Sequence, residues 1–336
     1  MGKSRELTKA GKAKKDEFYT QLTDIEKEMR YYEPHFVGKT IFCNCDDPEY
    51  SHFWLYFQLN FYRLGLKRLV STHYDPDKPS YKMEIVSTNT AKGDGIQIGI
   101  PDYVKTPLEG NGDFRSQECI DILKEADIVV TNPPFSLFSE YLTQLVEYEK
   151  KFIIIGNINA ISYREVFPLI MENKVWLGAS IHSGDREFRV PDSYPLQASG
   201  WRVDGDGNKY IRVKGVRWFS NLDYDQRHEE LILYKPYTPE EYPKYVNYDA
   251  IEVGKTADIP CDYYGLMGVP ITFLDKYNPD QFEIVGNSQF LVRELSAEVR
   301  AKGDYAQIGR FYIDRHDGTY KKMYERLVIR RRHNED

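Results

Sequence analysis

Apolar runs of four or five residues, separated by amphipathic stretches, set the texture of the first two thirds of the chain. Residues 40–44 read as a buried strand. Asp47 and Pro48 then suit the cap and first position of a helix that carries Phe53, Tyr56, Phe57 and Asn60 and ends near Gly65. Residues 67–72 form a second strand. Residues 81–86 and 97–100, parted by Lys92-Gly93-Asp94-Gly95, predict an inserted hairpin or long loop. There follow a helix over 116–124, a strand over 127–131, a helix over 137–148, a strand over 152–156, a helix over 163–173 and a strand over 175–177. This beat predicts a doubly wound α/β domain.

After Glu230 the texture changes. Tyr237-Thr238-Pro239 and Tyr242-Pro243 read as a linker, and the region beyond has strand-like runs at 282–285 and 327–329 without a regular βαβ order. The chain is therefore expected to hold a basic tail (1–15), a catalytic domain (16–235) and a separate recognition region (236–336). With 336 residues, such a division leaves ample core.

No apolar run is long enough to span a membrane and no signal peptide opens the chain, so a soluble, cytoplasmic protein is expected. Four cysteines, at 43, 45, 119 and 261, lack the paired spacing of a zinc site, and no metal is expected. Cys43 and Cys45 are expected to share one face of a strand. The net charge of −7 argues against a generic nucleic-acid coat. Basic residues nonetheless cluster: in the tail, in a stretch from Arg202 through Lys209, Arg212 and Lys214 to Arg217 interleaved with Trp201, Tyr210 and Trp218, and at Arg330-Arg331-Arg332. Together they make a nucleic-acid partner plausible.

The sharpest chemistry lies at Asn132-Pro133-Pro134-Phe135, directly behind the apolar run Ile128-Val129-Val130. An exocyclic amine on a purine is a poor nucleophile because its lone pair is delocalised into the ring. Two acceptors aimed at its N–H groups make the nitrogen more tetrahedral. The Asn132 side-chain oxygen is one, and the Pro133 carbonyl can be the other, since the two prolines hold the loop extended. Phe135 offers a flat face for a base. The plainer reading, an Asn-Pro turn at a strand end, is outweighed by strand, loop and aromatic occurring in this order.

Five segments in one order carry a likeness over nearly the whole chain: Asp16-Glu17-Phe18-Tyr19-Thr20-Gln21, Cys43-Asn44-Cys45-Asp46-Asp47-Pro48, Gly112-Asp113-Phe114-Arg115-Ser116, Thr131-Asn132-Pro133-Pro134-Phe135-Ser136 and Met267-Gly268-Val269-Pro270-Ile271-Thr272-Phe273-Leu274. On these the chain resembles the EcoRI family of adenine-specific DNA methyltransferases. The resemblance implies a Rossmann-like domain, S-adenosylmethionine as methyl donor, double-stranded DNA as substrate and N6 of a flipped adenine as acceptor. It implies donor contacts from Phe18, Tyr19, Thr20, Asn44, Asp46 and Asn132, with Asp113 accepting from the donor's adenine amine and Phe114 stacking on its ring. The glycine-rich loop common after the first strand of this fold is missing here. Asp75 is a weak candidate for the acid usual after the second strand. A monomer acting on one strand at a time is expected, within a restriction-modification system or as a solitary enzyme. Methylation of RNA adenine or of protein glutamine presents a planar amine to the same loop, and an inactive DNA-binding relic is the alternative of a different class.

Overall fold

The computed structural model describes residues 18–45, 47–76, 79–87, 99–182, 184–192, 194, 196 and 200–333. The basic tail, Asp46 and the 92–95 turn lie outside the described residues. Two compact units result, one from Met1–Val166 with Val175–Tyr224, the other from Phe167–Lys174 with Asp225–Asp336.

The first unit is mixed α/β. Its large sheet runs β4-β3-β2-β1-β5-β6-β11-β7, with β1 Thr40–Cys43, β2 Arg68–Thr72, β3 Tyr81–Val86, β4 Val104–Pro107, β5 Ile128–Thr131, β6 Lys151–Asn157, β7 Trp176–Leu177 and β11 Val216–Ser220. The four central strands, β2, β1, β5 and β6, are parallel, and β3, β4 and β11 pair antiparallel. Every residue of β1 and β5 is buried, which explains their unbroken apolar runs. The chain builds outward from β1 through β2 to β4, then returns to place β5 on β1's other side. The carboxyl ends of β1 and β5 therefore flank the point where strand order reverses, and ligands of open α/β sheets sit in the crevice at such a point.

The helices are α1 Leu22–Met29, α2 Glu33–Phe36, α3 His52–Leu59, α4 Gln117–Glu125 and α5 Phe138–Glu147, with α6 Phe167–Met171 belonging to the second unit. Ser116 caps α4 by accepting from the Cys119 amide at 3.3 Å. Between β7 and β11 the chain makes a second, smaller sheet, β8-β10-β9, from β8 Asp185–Val190, β9 Arg202–Val203 and β10 Lys209–Lys214.

Several sequence expectations need correcting. Asp47 does not cap α3; Ser51 does, accepting from the Phe53 amide, while the Asp47 carboxylate takes the Glu49 amide and the Tyr81 hydroxyl. That helix stops at Leu59, where the Asn60 side chain bonds back to the Tyr56 carbonyl and turns lead to Gly65 at φ +62°. β3 pairs antiparallel with β2 on one side and β4 on the other, and of the run expected at 97–100, residues 97 and 98 lie outside the described residues. The helix expected over 163–173 shortens to α6 because Pro168 is tolerated only in a first turn. Cys43 and Cys45 do not share a strand face: β1 ends at Cys43, and Cys45 has φ 74°. Within the basic stretch, Arg217 and Trp218 are buried, with the Arg217 guanidinium donating to the Val216 and His182 carbonyls.

The second unit centres on a sheet of order β12-β13-β17-β14, from β12 Ile251–Glu252, β13 Met267–Pro270, β14 Phe282–Asn287 and β17 Arg326–Arg331, with a separate hairpin of β15 Tyr312–Asp314 and β16 Tyr320–Lys322. The tyrosine-rich stretch read as a linker is part of this unit: Tyr242 and Tyr245 are buried. The C-terminal arginines serve the unit's own structure, Arg330 pairing with Glu283 and Arg332 donating to the Pro279 carbonyl at 2.8 Å. A buried Glu252–Arg326 pair, bonded at 2.7–3.1 Å and joined by the Tyr245 hydroxyl, ties β12 to β17.

Candidate active site

The strand ends bring most of the predicted residues together. Asn132 follows β5 directly and is buried. Its Nδ2 donates to the Phe18 carbonyl at 2.5 Å, which fixes the orientation of the amide because a carbonyl can only accept. Its Oδ1 is buried and has no partner among the described residues. The Pro134 carbonyl is taken by the Leu137 amide at 2.9 Å. The Asn132 side-chain oxygen is thus left for something else.

Phe18-Tyr19-Thr20 forms a strap against this loop. Tyr19 bridges β8, donating to the Arg189 carbonyl at 2.8 Å and accepting from its amide at 3.2 Å. The Thr20 carbonyl lies 2.6 Å from His52 Nδ1 at the start of α3. The Thr20 hydroxyl is buried without a partner among the described residues. An unpaired buried polar atom costs about 1–3 kcal/mol, so two of them meeting at one strap and loop suit a site that binds a polar ligand.

Asn44 follows β1, and its carbonyl accepts from the Thr131 hydroxyl while its side-chain oxygen accepts from the buried Tyr141 hydroxyl. The adjoining turn runs through Cys45 in the left-handed region, a conformation that costs a non-glycine residue roughly 1–2 kcal/mol. Tyr141 on α5 also meets the Phe114 ring edge-on, centroids 5.1 Å apart. Phe114 and Arg115 line an open cleft of about 600 Å³ between α4 and α5, together with Ile120, Glu140 and Gln144.

Asp113 is not a free acceptor. Arg115 gives it three hydrogen bonds: the amide and Nε to Oδ1 at 2.9 and 2.8 Å, and Nη2 to Oδ2 at 2.7 Å. Burial raises the Asp113 pKa, but the Arg115 bonds outweigh it and hold the carboxyl below the usual carboxylate range. Phe135 lies half-buried in a short turn, edge-on to Phe18 at 5.6 Å and to Phe188 of β8 at 6.4 Å.

The strap, Asn44 and the Asn132 loop therefore converge, and Phe114 joins them through Tyr141. Sequence reasoning missed Arg115, Tyr141 and Phe188. Tyr141 had a signal, the helical spacing of Phe138, Tyr141, Leu142 and Leu145, all buried. Among the described residues no cluster of three or more His, Cys, Asp or Glu is placed to hold a metal ion, and no helix is long and apolar enough to cross a membrane.

A mixed sheet whose order reverses between β1 and β5, with an unpaired amide oxygen at that reversal, fits the class of methyltransferases. The chain belongs to the EcoRI family of adenine-specific methyltransferases, whose model matches residues 6–332, and is a DNA adenine methyltransferase. It is 51% identical over 286 residues to the Type II methyltransferase M.EcoRI of Escherichia coli, covering 83% of this chain and 88% of that one. It is 38% identical over 337 residues to the Type II methyltransferase M.MpnI of Mycoplasma pneumoniae, covering 98% of each. A third relative, M.MgeORF184P of Mycoplasma genitalium, is 40% identical, with 83% of this chain and 85% of the relative covered. No solved structure matches the chain significantly.

Proposed function

We propose that the protein transfers a methyl group from S-adenosylmethionine to N6 of an adenine flipped out of duplex DNA, as the modification enzyme of a restriction-modification system or a solitary counterpart. The observation that carries this reading is the buried Asn132 Oδ1, left without a partner where the strand order reverses. An adenine amine supplies the N–H that this oxygen lacks. With the Pro133 carbonyl accepting the second N–H, the nitrogen lone pair is drawn out of ring conjugation and aimed at the incoming carbon. Phe135 stacks on the flipped base, which cannot be reached inside the duplex.

The fold read here is the doubly wound, Rossmann-like one. The Phe18-Tyr19-Thr20 strap, with the Thr20 hydroxyl buried and without a partner among the described residues, suits the amino-acid end of the donor; Asn44, bonded to Thr131 just before the Asn132 loop, and Asp46 are assigned to the donor on the family likeness. Asp113 and Phe114 take the adenine. The donor supplies a sulfonium-activated methyl group, so the protein contributes position and electrostatics. Target recognition is assigned to the second unit, and the enzyme is taken to act as a cytoplasmic monomer.

The test is transfer of labelled methyl groups to duplex DNA, with N6-methyladenine as the product. Asn132→Ala should lower turnover by about 10²-fold or more, while donor affinity stays near that of the native protein. Label found in RNA or in protein glutamine and never in DNA would overturn the assignment.

A further inference from the structure

Arg115 does two things at once. It donates through Nε and Nη2 to both oxygens of Asp113, and its guanidinium carbon lies 5.2 Å from the centroid of the Phe114 ring. These are the two contacts that the proposed function gives to the adenine of the donor: an N–H donated to Asp113 and a planar group against Phe114. A guanidinium is flat, carries parallel N–H donors and stacks on aromatic faces, so it can meet both demands of that seat.

A second partner is already in place. Arg115 Nη1 lies 3.2 Å from Glu140 Oε1 at the start of α5, on the wall of the same cleft. We infer that Arg115 is a built-in competitor for the donor's adenine, filling the Asp113–Phe114 seat and moving onto Glu140 when the adenine enters. Glu140 lets Arg115 leave without losing its ion pair, so displacement is cheap. The effect on donor affinity is correspondingly modest. Both side chains are about half exposed, 49% each, and such pairs count for a factor of roughly 2–5 in an equilibrium constant. The inference rests on the reading of Asp113 and Phe114 as the adenine seat.

Calorimetric titration of the intact protein with adenosine and with S-adenosylhomocysteine tests it. Adenosine is neutral, so salt acts on its binding through the Arg115 pair and not through the ligand. Arg115→Ala should bind both ligands about 2–5-fold tighter, and added potassium chloride should tighten adenosine binding to the native protein but not to Arg115→Ala. Glu140→Gln should weaken binding in the native background and have no effect beside Arg115→Ala. Equal or weaker binding by Arg115→Ala overturns the competitor and makes Arg115 a support for Asp113. Asp113→Ala, with Asp113→Asn as the variant closer in shape, separates the two levels. If both bind adenosine normally, the adenine seat itself is wrong; if they bind weakly while Arg115→Ala is no tighter, only the competitor falls.

Discussion

A Cβ built at Gly112 would lie 1.9 Å from the His73 carbonyl oxygen, and the residue's φ of +78° is already in the region that favours glycine. The loop that carries Asp113 is thereby pressed onto the end of β2. Gly112→Ala should cost roughly 1–3 kcal/mol through forced overpacking and also weaken donor binding, because the loop must lift. Urea unfolding beside a donor titration checks this; an unchanged midpoint would sink it. Asp113 itself gives a pH prediction. Its carboxyl is depressed by Arg115 against the opposing effect of burial, so it stays charged as pH falls through the ordinary aspartate value of about 3.9 and loses its charge only below that. The stability it contributes is present above the unfolded value and lost as pH falls through the folded one. Arg115→Ala keeps the backbone amide bond to Asp113 but removes the side-chain bonds and the positive charge, so the acid loss of donor binding should move to higher pH. An acid limb that stays in place would show that Asp113 does not govern it.

The short turn that opens with Phe135 joins β5 to α5 and sets its ring against Phe18 and Phe188. Phe135→Ala should reduce methylation of an adenine in an intact pair more than of the same adenine opposite a mismatch. Extrusion costs a few kcal/mol and is cheapest where pairing is already lost, while stacking returns about 1–3 kcal/mol. Equal losses on the two substrates would count against flipping into this loop. At this scale the sequence was readable wherever the cause was local. Unbroken apolar runs announced β1, β5 and β6, and Asn132 stood out because strand, prolines and aromatic are contiguous. What escaped was set at long range. Asp47 looked like a helix cap, yet its carboxylate answers to Tyr81; β4 is wholly exposed and shows no apolar signal; the carbonyl that orients Asn132 belongs to Phe18, far away in sequence. Arg115 sat inside a recognised motif, but nothing local said that its guanidinium turns back on Asp113 and Phe114.

At the scale of the whole molecule, the second unit is assembled from two separate stretches. Phe167 of α6 stacks on Phe290 with centroids 5.3 Å apart and planes within 10°, and both rings belong to that unit. A fragment of residues 1–224 therefore keeps α6 but removes its partner. It should melt below the full chain and lose sequence-selective DNA binding, as thermal unfolding and competition with unrelated duplex would show. Selectivity kept by a folded fragment would place recognition in the first unit. The position of β17 carries a further consequence. It is the last strand of its sheet to be made, yet it lies in the middle, between β13 and β14. During translation, at about 5–20 residues per second, β13 and β14 leave the ribosome seconds before the strand that joins them. Until then the nascent chain has no finished second unit, so a chain ending before residue 326 should leave β13 and β14 unjoined and open to limited proteolysis.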